Sequence, residues 1–370
     1  MRIAPASLLL IAMTTAACGD RGASSDGSNV RKSGPATTTS TRSADTLSLA
    51  ERRATGGRIV FVSERSGAPQ VYTIAPAGEG ERRLATGPGA GFPAALSPDG
   101  RTLAAVAVRE QGGDHGEQLV VVPLDGGAAH PLGPASSRAR SPSWSPDGRW
   151  LVFESDRESF RDLYRINLDG SGLRRLTENR EGNFDPAVSP DGRRIAFVSS
   201  RDGDSEVYVM NADGSAQRRL TAFYRDDMKP GWSPDGRTIS FISNRLGADR
   251  VFLVGADGTN LRRLNAADTT RTGQEADIAW SPDGSRIAYT LQVAPGASRI
   301  RIVDVRTGKA LEVAGGEGAS QPAWSPDGRL LAFTAGTAAD ADLWIARADG
   351  TAPTRITRAP GADWLPRWGQ

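Results

Sequence analysis

The chain has very few of the residues that most often build catalytic and metal centres. Its 370 residues include one cysteine, Cys18, and two histidines, His115 and His130. A lone thiol cannot form an intramolecular disulfide, so packing must hold the fold together. Lysine and arginine total 45 against 43 aspartate and glutamate residues. This balance lacks the basic surplus on which nucleic-acid binding usually depends, so we expect no nucleic-acid partner.

Aromatic residues are also scarce, at 6%, whereas the chain holds 43 glycines and 23 prolines. Such a composition indicates many turns and short elements and favours β structure over long helices. Length alone would permit two ordinary domains or one large all-β domain.

The N-terminus is predicted to be a targeting segment. Residues 1–18 contain Arg2, an apolar stretch around 8–13 and small residues before Cys18. This is typical of a secretory signal, and its end resembles the lipobox of bacterial lipoproteins, with Thr15 where leucine is usual. The resemblance implies diacylation of Cys18; the alternative is an ordinary secretory signal. Either one predicts an exported protein. Residues 19–56 are rich in Ser, Thr and Gly and are predicted to form a disordered tether.

From residue 57 to 370 the sequence repeats with a period of 44 or 48 residues. Ser-Pro-Asp-Gly occurs six times, with its aspartate at Asp99, Asp147, Asp191, Asp235, Asp283 and Asp327. Pro-Asp-Gly suits a tight turn between antiparallel strands, and a second Asp-Gly turn later in each unit suits another hairpin. A period of this length indicates repeated supersecondary units of four strands each.

Counting the units predicts a closed ring. The second strand of the unit occurs seven times, but the seventh copy of the first strand is Pro366-Arg-Trp-Gly-Gln370 at the C-terminus. The C-terminal strand would therefore complete the first sheet, and closure would leave no open sheet edge between the first and last blades. The sequence predicts an all-β, seven-bladed β-propeller of four-stranded antiparallel blades.

One position of the innermost strand is predicted to pack neighbouring blades together. Large apolar residues occupy it in every unit: Leu96, Trp144, Val188, Trp232, Trp280, Trp324 and Trp368. A stripe of tryptophans also suits sugar stacking, but its regular strand position favours an inter-blade core.

The segments PAWSPDGRLLAFTAG and DLWIARADGTAPTRIT, within residues 322–357, resemble the WD40-like propeller repeats of the TolB family. The resemblance implies the propeller fold and a binding role in the bacterial cell envelope, where the TolB propeller binds the protein Pal. This chain departs from TolB in having seven blades instead of six, and a tether in place of an N-terminal α/β domain.

Two enzyme classes share related propellers. Prolyl-oligopeptidase-like peptidases add an α/β-hydrolase domain with a Gly-x-Ser-x-Gly motif, which this sequence lacks. Oligogalacturonate lyases use several histidines around a metal, whereas His115 and His130 are predicted to be solvated. The run from Asp202 to Glu206 is suggestive of calcium but lacks the pattern of an EF-hand loop. We therefore expect no enzymatic activity, no metal and no cofactor.

A binding surface is predicted on the face formed by the loops after the second and fourth strands, because loops vary without disturbing packing. An arginine follows the second strand in five successive blades: Arg65, Arg109, Arg157, Arg201 and Arg245. Nearby connections supply Phe184, Asp185, Met228 and Trp364. Two interpretations stay open: each arginine pairs locally with an acidic loop residue, or the arginines line a mouth for an acidic peptide or an anionic glycan.

The sequence thus predicts a monomeric, non-enzymatic lipoprotein of the periplasm or cell surface that binds an envelope protein or peptide and contacts the membrane only through its lipid. The alternative is a propeller that binds or cleaves an anionic polysaccharide.

Overall fold

The computed structural model describes residues 46–87, 91–111, 114–134, 138–266 and 272–369. Its strands form seven antiparallel sheets of four, and one short helix, α1 (Leu49–Thr55), precedes them. In order of hydrogen bonding within each blade, the strands are β28 (Asp363–Gly369), β1 (Arg58–Ser63), β2 (Gln70–Ile74) and β3 (Arg82–Arg83) in blade 1; β4 (Gly91–Leu96), β5 (Thr102–Gln111), β6 (Asp114–Pro123) and β7 (His130–Pro131) in blade 2; β8 (Ala139–Trp144), β9 (Trp150–Ser155), β10 (Asp162–Asn167) and β11 (Arg174–Arg175) in blade 3; β12 (Asn183–Val188), β13 (Arg194–Asp202), β14 (Asp204–Asn211) and β15 (Arg218–Arg219) in blade 4; β16 (Asp227–Trp232), β17 (Thr238–Ser243), β18 (Arg250–Gly255) and β19 (Arg262–Arg263) in blade 5; β20 (Gln274–Trp280), β21 (Arg286–Ala294), β22 (Ala297–Asp304) and β23 (Ala310–Glu312) in blade 6; and β24 (Ser320–Trp324), β25 (Leu330–Ala335), β26 (Asp342–Arg347) and β27 (Thr354–Arg355) in blade 7. The predicted seven-bladed propeller is confirmed.

The first strand of each blade is the inner one. Inner strands of neighbouring blades contact each other, as β4 does with β8 and β24 with β28, whereas the fourth strands are only two or three residues long. The inner strands therefore surround a central channel, and the short fourth strands form the rim.

Hydrogen bonds explain why Ser-Pro-Asp-Gly recurs. In the turn before β9, Ser145 donates from Oγ to Asp147 Oδ1 at 2.6 Å, and the same carboxylate oxygen accepts from Arg149 N at 3.1 Å. Gly148 completes the turn with a φ of 67°, a conformation that glycine adopts without strain. The motif is a self-capped turn on what we call the turn face of the ring.

The core lies between the blades. Each of the seven clusters of buried apolar side chains in the described chain combines residues of two adjacent blades. The predicted tryptophan position belongs to these seams. Trp144, Trp232 and Trp324 are buried, and each indole N–H donates to a backbone carbonyl of the preceding blade, at 2.9–3.0 Å. The prediction of an inter-blade core is confirmed.

The C-terminal strand closes the ring as predicted. β28 pairs antiparallel with β1, with Arg58 opposite Gly369 and Ser63 opposite Asp363. The first blade is thus built from both ends of the propeller sequence.

Folded structure begins before residue 57, which shortens the predicted tether. Leu47 is 3% exposed and packs between blades 7 and 1. Ser48 and Glu51 form a capping box that starts α1. Glu51 also pairs with Arg347 of blade 7 at 2.8 Å, while Arg52 donates to Ala77 O of blade 1 at 2.9 Å. The structure thus corrects the tether only at residues 46–56, where a polar sequence contains one leucine that the closing seam buries; the rest of the predicted tether lies outside the described residues. The predicted signal peptide and Cys18 lie outside the described residues.

Candidate functional site

The inner strands share a backbone irregularity where they face the channel. In six blades one residue has a φ between 46° and 57°, the left-handed region that L-residues seldom occupy. These residues are Ser141, Asp185, Lys229, Asp277, Gln321 and Leu365. Each accompanies a shift in strand register. Bulges of this kind re-aim side chains beside functional sites.

A cavity of about 640 Å³ occupies the channel beside blades 1, 2, 6 and 7. Its polar lining includes Asp277, Gln321 and Arg367, and its apolar lining includes three seam tryptophans and prolines of the turn face. A volume of this size is typical of small-ligand sites, and the lining here combines polar and apolar groups.

Arg367 is the exceptional residue of the lining. The equivalent positions of the other blades hold small residues: Ala95, Ser143, Ala187, Gly231, Ala279 and Ala323. Within the described chain, its guanidinium makes one hydrogen bond, from Nη1 to Pro366 O at 3.1 Å. Burial lowers the pKa of Arg367, and the nearby Asp277 carboxylate acts in the opposite direction. Arg367 was not among the predicted site residues, although Pro-Arg-Trp differs visibly from Pro-Ser-Trp, Pro-Gly-Trp and Pro-Ala-Trp at the equivalent positions.

Neighbouring polar groups hold the cavity wall in place. Thr290 Oγ1 donates to Asp277 Oδ2 at 2.8 Å and accepts from Gln321 N at 2.9 Å. Gln321 Oε1 in turn accepts from Leu365 N at 2.8 Å. Blades 6, 7 and 1 are thereby linked at the cavity, and the amide nitrogen of Gln321 is left as a donor.

Four of the five predicted arginines have described side chains, and these fold back onto their own blades. Each guanidinium lies 4.7 Å from the centre of an aromatic ring of the third strand. Its Nε donates a hydrogen bond to the hydroxyl of the serine two residues before it. The pairs are Arg65 with Tyr72 and Ser63, Arg157 with Tyr164 and Ser155, Arg201 with Tyr208 and Ser199, and Arg245 with Phe252 and Ser243. Arg109 lies on β5, which pairs with β6.

The arginines differ in the inner-strand residue that accepts their hydrogen bonds. Arg65 binds the buried Asp363 at 2.9 Å, and Arg245 binds the buried Asp227 at 2.7 Å. Arg201 instead donates to Asn183 Oδ1 at 3.1 Å. These contacts favour the local structural interpretation for three of the arginines; ligand binding by any of the five stays a prediction.

Blade 3 departs from this pattern. Ala139 stands opposite Ser155, where Asp363 stands opposite Ser63 and Asp227 opposite Ser243. Consequently Arg157 Nη2 is buried and has no hydrogen-bond partner in the part of the chain that the structure describes. Burial lowers the pKa of Arg157.

The other predicted binding residues lie at the channel mouth on the loop-rich face, the face formed by the connections after the second and fourth strands. Phe184, Met228 and Trp364 are half-buried at the starts of their inner strands. Phe92 of blade 2 lies 6.1 Å from Trp364 of blade 1, ring centre to ring centre. The inner strands thus gather these apolar groups around one opening.

Asp185 is half-buried beside the same mouth. Burial raises the pKa of its carboxyl group and also that of Glu154, which accepts hydrogen bonds from Ser141 Oγ and Asp185 N. Desolvation disfavours the charged form of each carboxylate, and both oxygens of the buried Glu154 already accept hydrogen bonds within the protein.

The candidate calcium run is engaged in structural contacts. Glu206 is buried and binds Arg219 at 2.6 Å, and Asp202 accepts from Tyr208 and Arg219. Across the described ranges, no cluster of three or more His, Cys, Asp or Glu side chains is arranged to hold a metal ion. His130 is exposed on β7, and His115 lies on β6.

Repeats, ring closure and seams together define a seven-bladed β-propeller. Residues 159–268 match the family model of the Tricorn protease N-terminal beta propeller domain, and residues 277–370 match that of the TolB beta propeller domain. An uncharacterized protein of Agrobacterium fabrum is 32% identical over 88 residues, which span 24% of this chain and 29% of the relative. The predicted resemblance is confirmed.

Solved structures agree on the fold. TolB from Acinetobacter baumannii is 18% identical with a TM-score of 0.55, and the match covers 90% of this chain and 89% of that one. An oligogalacturonate lyase in complex with manganese is 17% identical with a TM-score of 0.62, over 82% and 88%. A puromycin-hydrolyzing peptidase of Mycobacterium tuberculosis is 20% identical with a TM-score of 0.60, over 86% and 56%.

These neighbours contradict our prediction that the protein is not an enzyme. The prediction treated the propeller as a binding scaffold, but similar propellers occur in a lyase and in a hydrolase. At these identities the similarity establishes the fold alone, so the architecture does not separate enzymes from binding proteins.

Proposed function

We propose that this protein binds a protein or peptide of the bacterial cell envelope on its loop-rich face. The observation that carries the proposal is the apolar character of that face. Around the channel mouth lie Phe92, Phe184, Met228 and Trp364, all half-buried. Aromatic residues and methionine are enriched in protein interfaces.

Exposed apolar side chains extend the same face outward. Tyr224, in the connection from blade 4 to blade 5, is 68% exposed, and Leu246, after β17, is 62% exposed. Phe160 lies in the corresponding connection of blade 3 and is 41% exposed, and Val293, near the end of β21 in blade 6, is 40% exposed. Large apolar side chains exposed on one face of a ring are candidates for contacts with a partner. Such a face suits a protein partner better than a polyanion, which would need cations.

Export and anchoring complete the proposal. Lipidation at the lipobox-like end of the signal segment would place two acyl chains on Cys18. Stable anchoring requires two such chains. Within its described ranges the structure contains no helix with the length and apolar character needed to cross a bilayer. Cys18→Ser should abolish fatty-acid labelling and release the protein from the membrane fraction; labelling that survives the substitution would contradict lipidation.

A photo-crosslinking residue placed on each face of the ring tests partner binding. At Tyr224 or Leu246 in intact cells, it should give a discrete adduct with an envelope protein. The matched controls are Leu173 and Leu261, which lie between the third and fourth strands on the turn face and are 38% and 45% exposed. The same adduct should weaken when Phe184 and Met228 are changed to Ser. Equal adducts from both faces, or none from the loop-rich face, would refute the proposal.

A further inference from the structure

The cavity holds a cation that the protein itself does not neutralise by direct contact. Arg367 extends from β28 into the channel lining, where its guanidinium has one backbone acceptor and no ion pair within the described chain. Asp277 is the other charged residue of the lining, and it is close enough to attract Arg367. A guanidinium offers five N–H donors, so most of them stay available to a ligand.

Nothing in the fold requires an arginine at this position. Four other blades use alanine there, and the remaining two use serine and glycine. A long charged side chain replaces a small one in blade 1 alone, at a partly desolvated site that penalises an unpaired charge. The propeller therefore carries a cost that its own packing does not explain, and such a cost is expected where a residue serves a ligand.

We propose that the channel cavity binds an organic monocarboxylate, with the carboxylate on Arg367 and the apolar body against the tryptophans and prolines toward the turn face. Arginine and carboxylate form paired, charge-assisted hydrogen bonds. The Gln321 amide nitrogen is a further donor from the same wall. The apolar partners are Trp280, Trp324, Trp368, Pro98, Pro282 and Pro326.

The charges of the lining favour a ligand that carries a single carboxylate. With Arg367 as its one cation and Asp277 as its one anion, the lining would leave a second carboxylate unpaired beside Asp277. An oligogalacturonate, with an acid on every sugar, is therefore a poor match. A volume of about 640 Å³ accommodates a small acid or the last residues of a peptide with a free C-terminus.

Fluorescence titration with dansyl-leucine, and with dansyl-leucine amide as the matched neutral probe, tests the site. The acid should bind the wild-type protein at least tenfold more tightly than the amide. Arg367→Ala should weaken binding of the acid at least tenfold and leave the amide unchanged, while Arg367→Lys should retain part of the preference. Because alanine is native to this position in other blades, the variant should fold, and a melting curve would verify it.

Two further arms sharpen the result. Asp277→Asn should tighten binding of the acid, since it removes a repelling charge and keeps an acceptor for Thr290; a purely structural role for Asp277 predicts no gain. A dansyl-labelled tetrapeptide ending in leucine, with a free or amidated C-terminus, distinguishes a chain end from a small acid as the source of the carboxylate.

Equal affinity for acid and amide, unchanged binding in Arg367→Ala, no binding at millimolar probe, or preference for trigalacturonate would overturn the proposal. Crosslinking from Tyr224 is independent of Arg367, so this proposal and the proposed function can fail separately.

Discussion

Arg65 and Asp363 lie 298 residues apart in the chain, yet Arg65 Nη2 is 3.0 Å and 2.9 Å from the two carboxylate oxygens of Asp363. The pair joins the first blade's second strand to the C-terminal strand that completes it. Asp363 is fully buried, and the side chain of Arg65 is 15% exposed. Ring closure is therefore secured by a desolvated ion pair as well as by strand pairing.

Asp363→Ala should lower the free energy of unfolding by roughly 1–3 kcal/mol, because Arg65 loses its buried hydrogen-bond partner but keeps an ion pair with Glu81. Asp363→Asn is the matched control, since Asn183 already accepts from Arg201 at the equivalent position of blade 4. It should cost clearly less. Chemical denaturation measures both, and equal losses for Ala and Asn would contradict the role given to the charge.

Ala139→Asp should stabilise the protein by about 1 kcal/mol, because it places in blade 3 the carboxylate that Arg157 lacks. The equivalent aspartates already bind arginines in blades 1 and 5. A double-mutant cycle gives the decisive comparison: with Arg157→Ala, the same aspartate should become destabilising. A gain that persists without Arg157 would show that the two residues are not coupled.

Leu47→Ala should lower stability by about 2–3 kcal/mol, since it empties a buried site between blades 7 and 1. Leu49, at 41% exposed on α1, supplies the control, because alanine is at least as good a helix former. Thermal unfolding of the two variants should separate a seam residue from a surface one. Similar melting temperatures would mean that the N-terminal segment does not brace the closure.

Stability should fall in acid between about pH 4 and pH 2. Serine and backbone hydrogen bonds hold the pKa of the turn carboxyls below the ordinary value, for Asp283 at about 2 and in the same direction for Asp99, Asp147, Asp191 and Asp235. A carboxylate whose folded-state pKa is lowered stabilises the fold fully above its ordinary pKa and loses that contribution as the pH falls through the folded value.

Asp283→Asn should therefore reduce the melting temperature at pH 7 and make its decline in acid shallower. Asp125→Asn, at an exposed position between β6 and β7, should change neither. Melting curves measured from pH 7 to pH 2 test this, and an unchanged acid slope in Asp283→Asn would show that the turn carboxylates do not govern acid unfolding.

The architecture could be predicted from the sequence because each of its signals is local and repeated. Ser145, Asp147 and Gly148 form a turn from their own side chains and backbone, and a period of 44 or 48 residues repeats that turn six times. The seam tryptophans follow from the same periodicity. The blade number and the ring closure then follow from the number of copies of the first and second strands in the sequence.

The burial of Leu47 and the position of Arg367 depend on contacts between distant parts of the chain, which the sequence does not show. Leu47 lies in a polar stretch and is buried because the seam between the last and first blades passes over it. Arg367 occupies an ordinary strand position, and only the closed ring places it in the cavity with Asp277, about ninety residues earlier in the chain.

The arginines after the second strands separate most clearly what local sequence determines from what the tertiary structure determines. Ser63-Glu-Arg65, Ser155-Asp-Arg157 and Ser243-Asn-Arg245 are alike in sequence, and each arginine folds onto its own blade in the same way. The sequence by itself determined that local geometry, since the supporting serine is two residues away and the aromatic ring is on the next strand. Only the tertiary structure decided the charge balance, because the inner strand that brings Asp363, Ala139 or Asp227 to the guanidinium is paired from elsewhere in the chain.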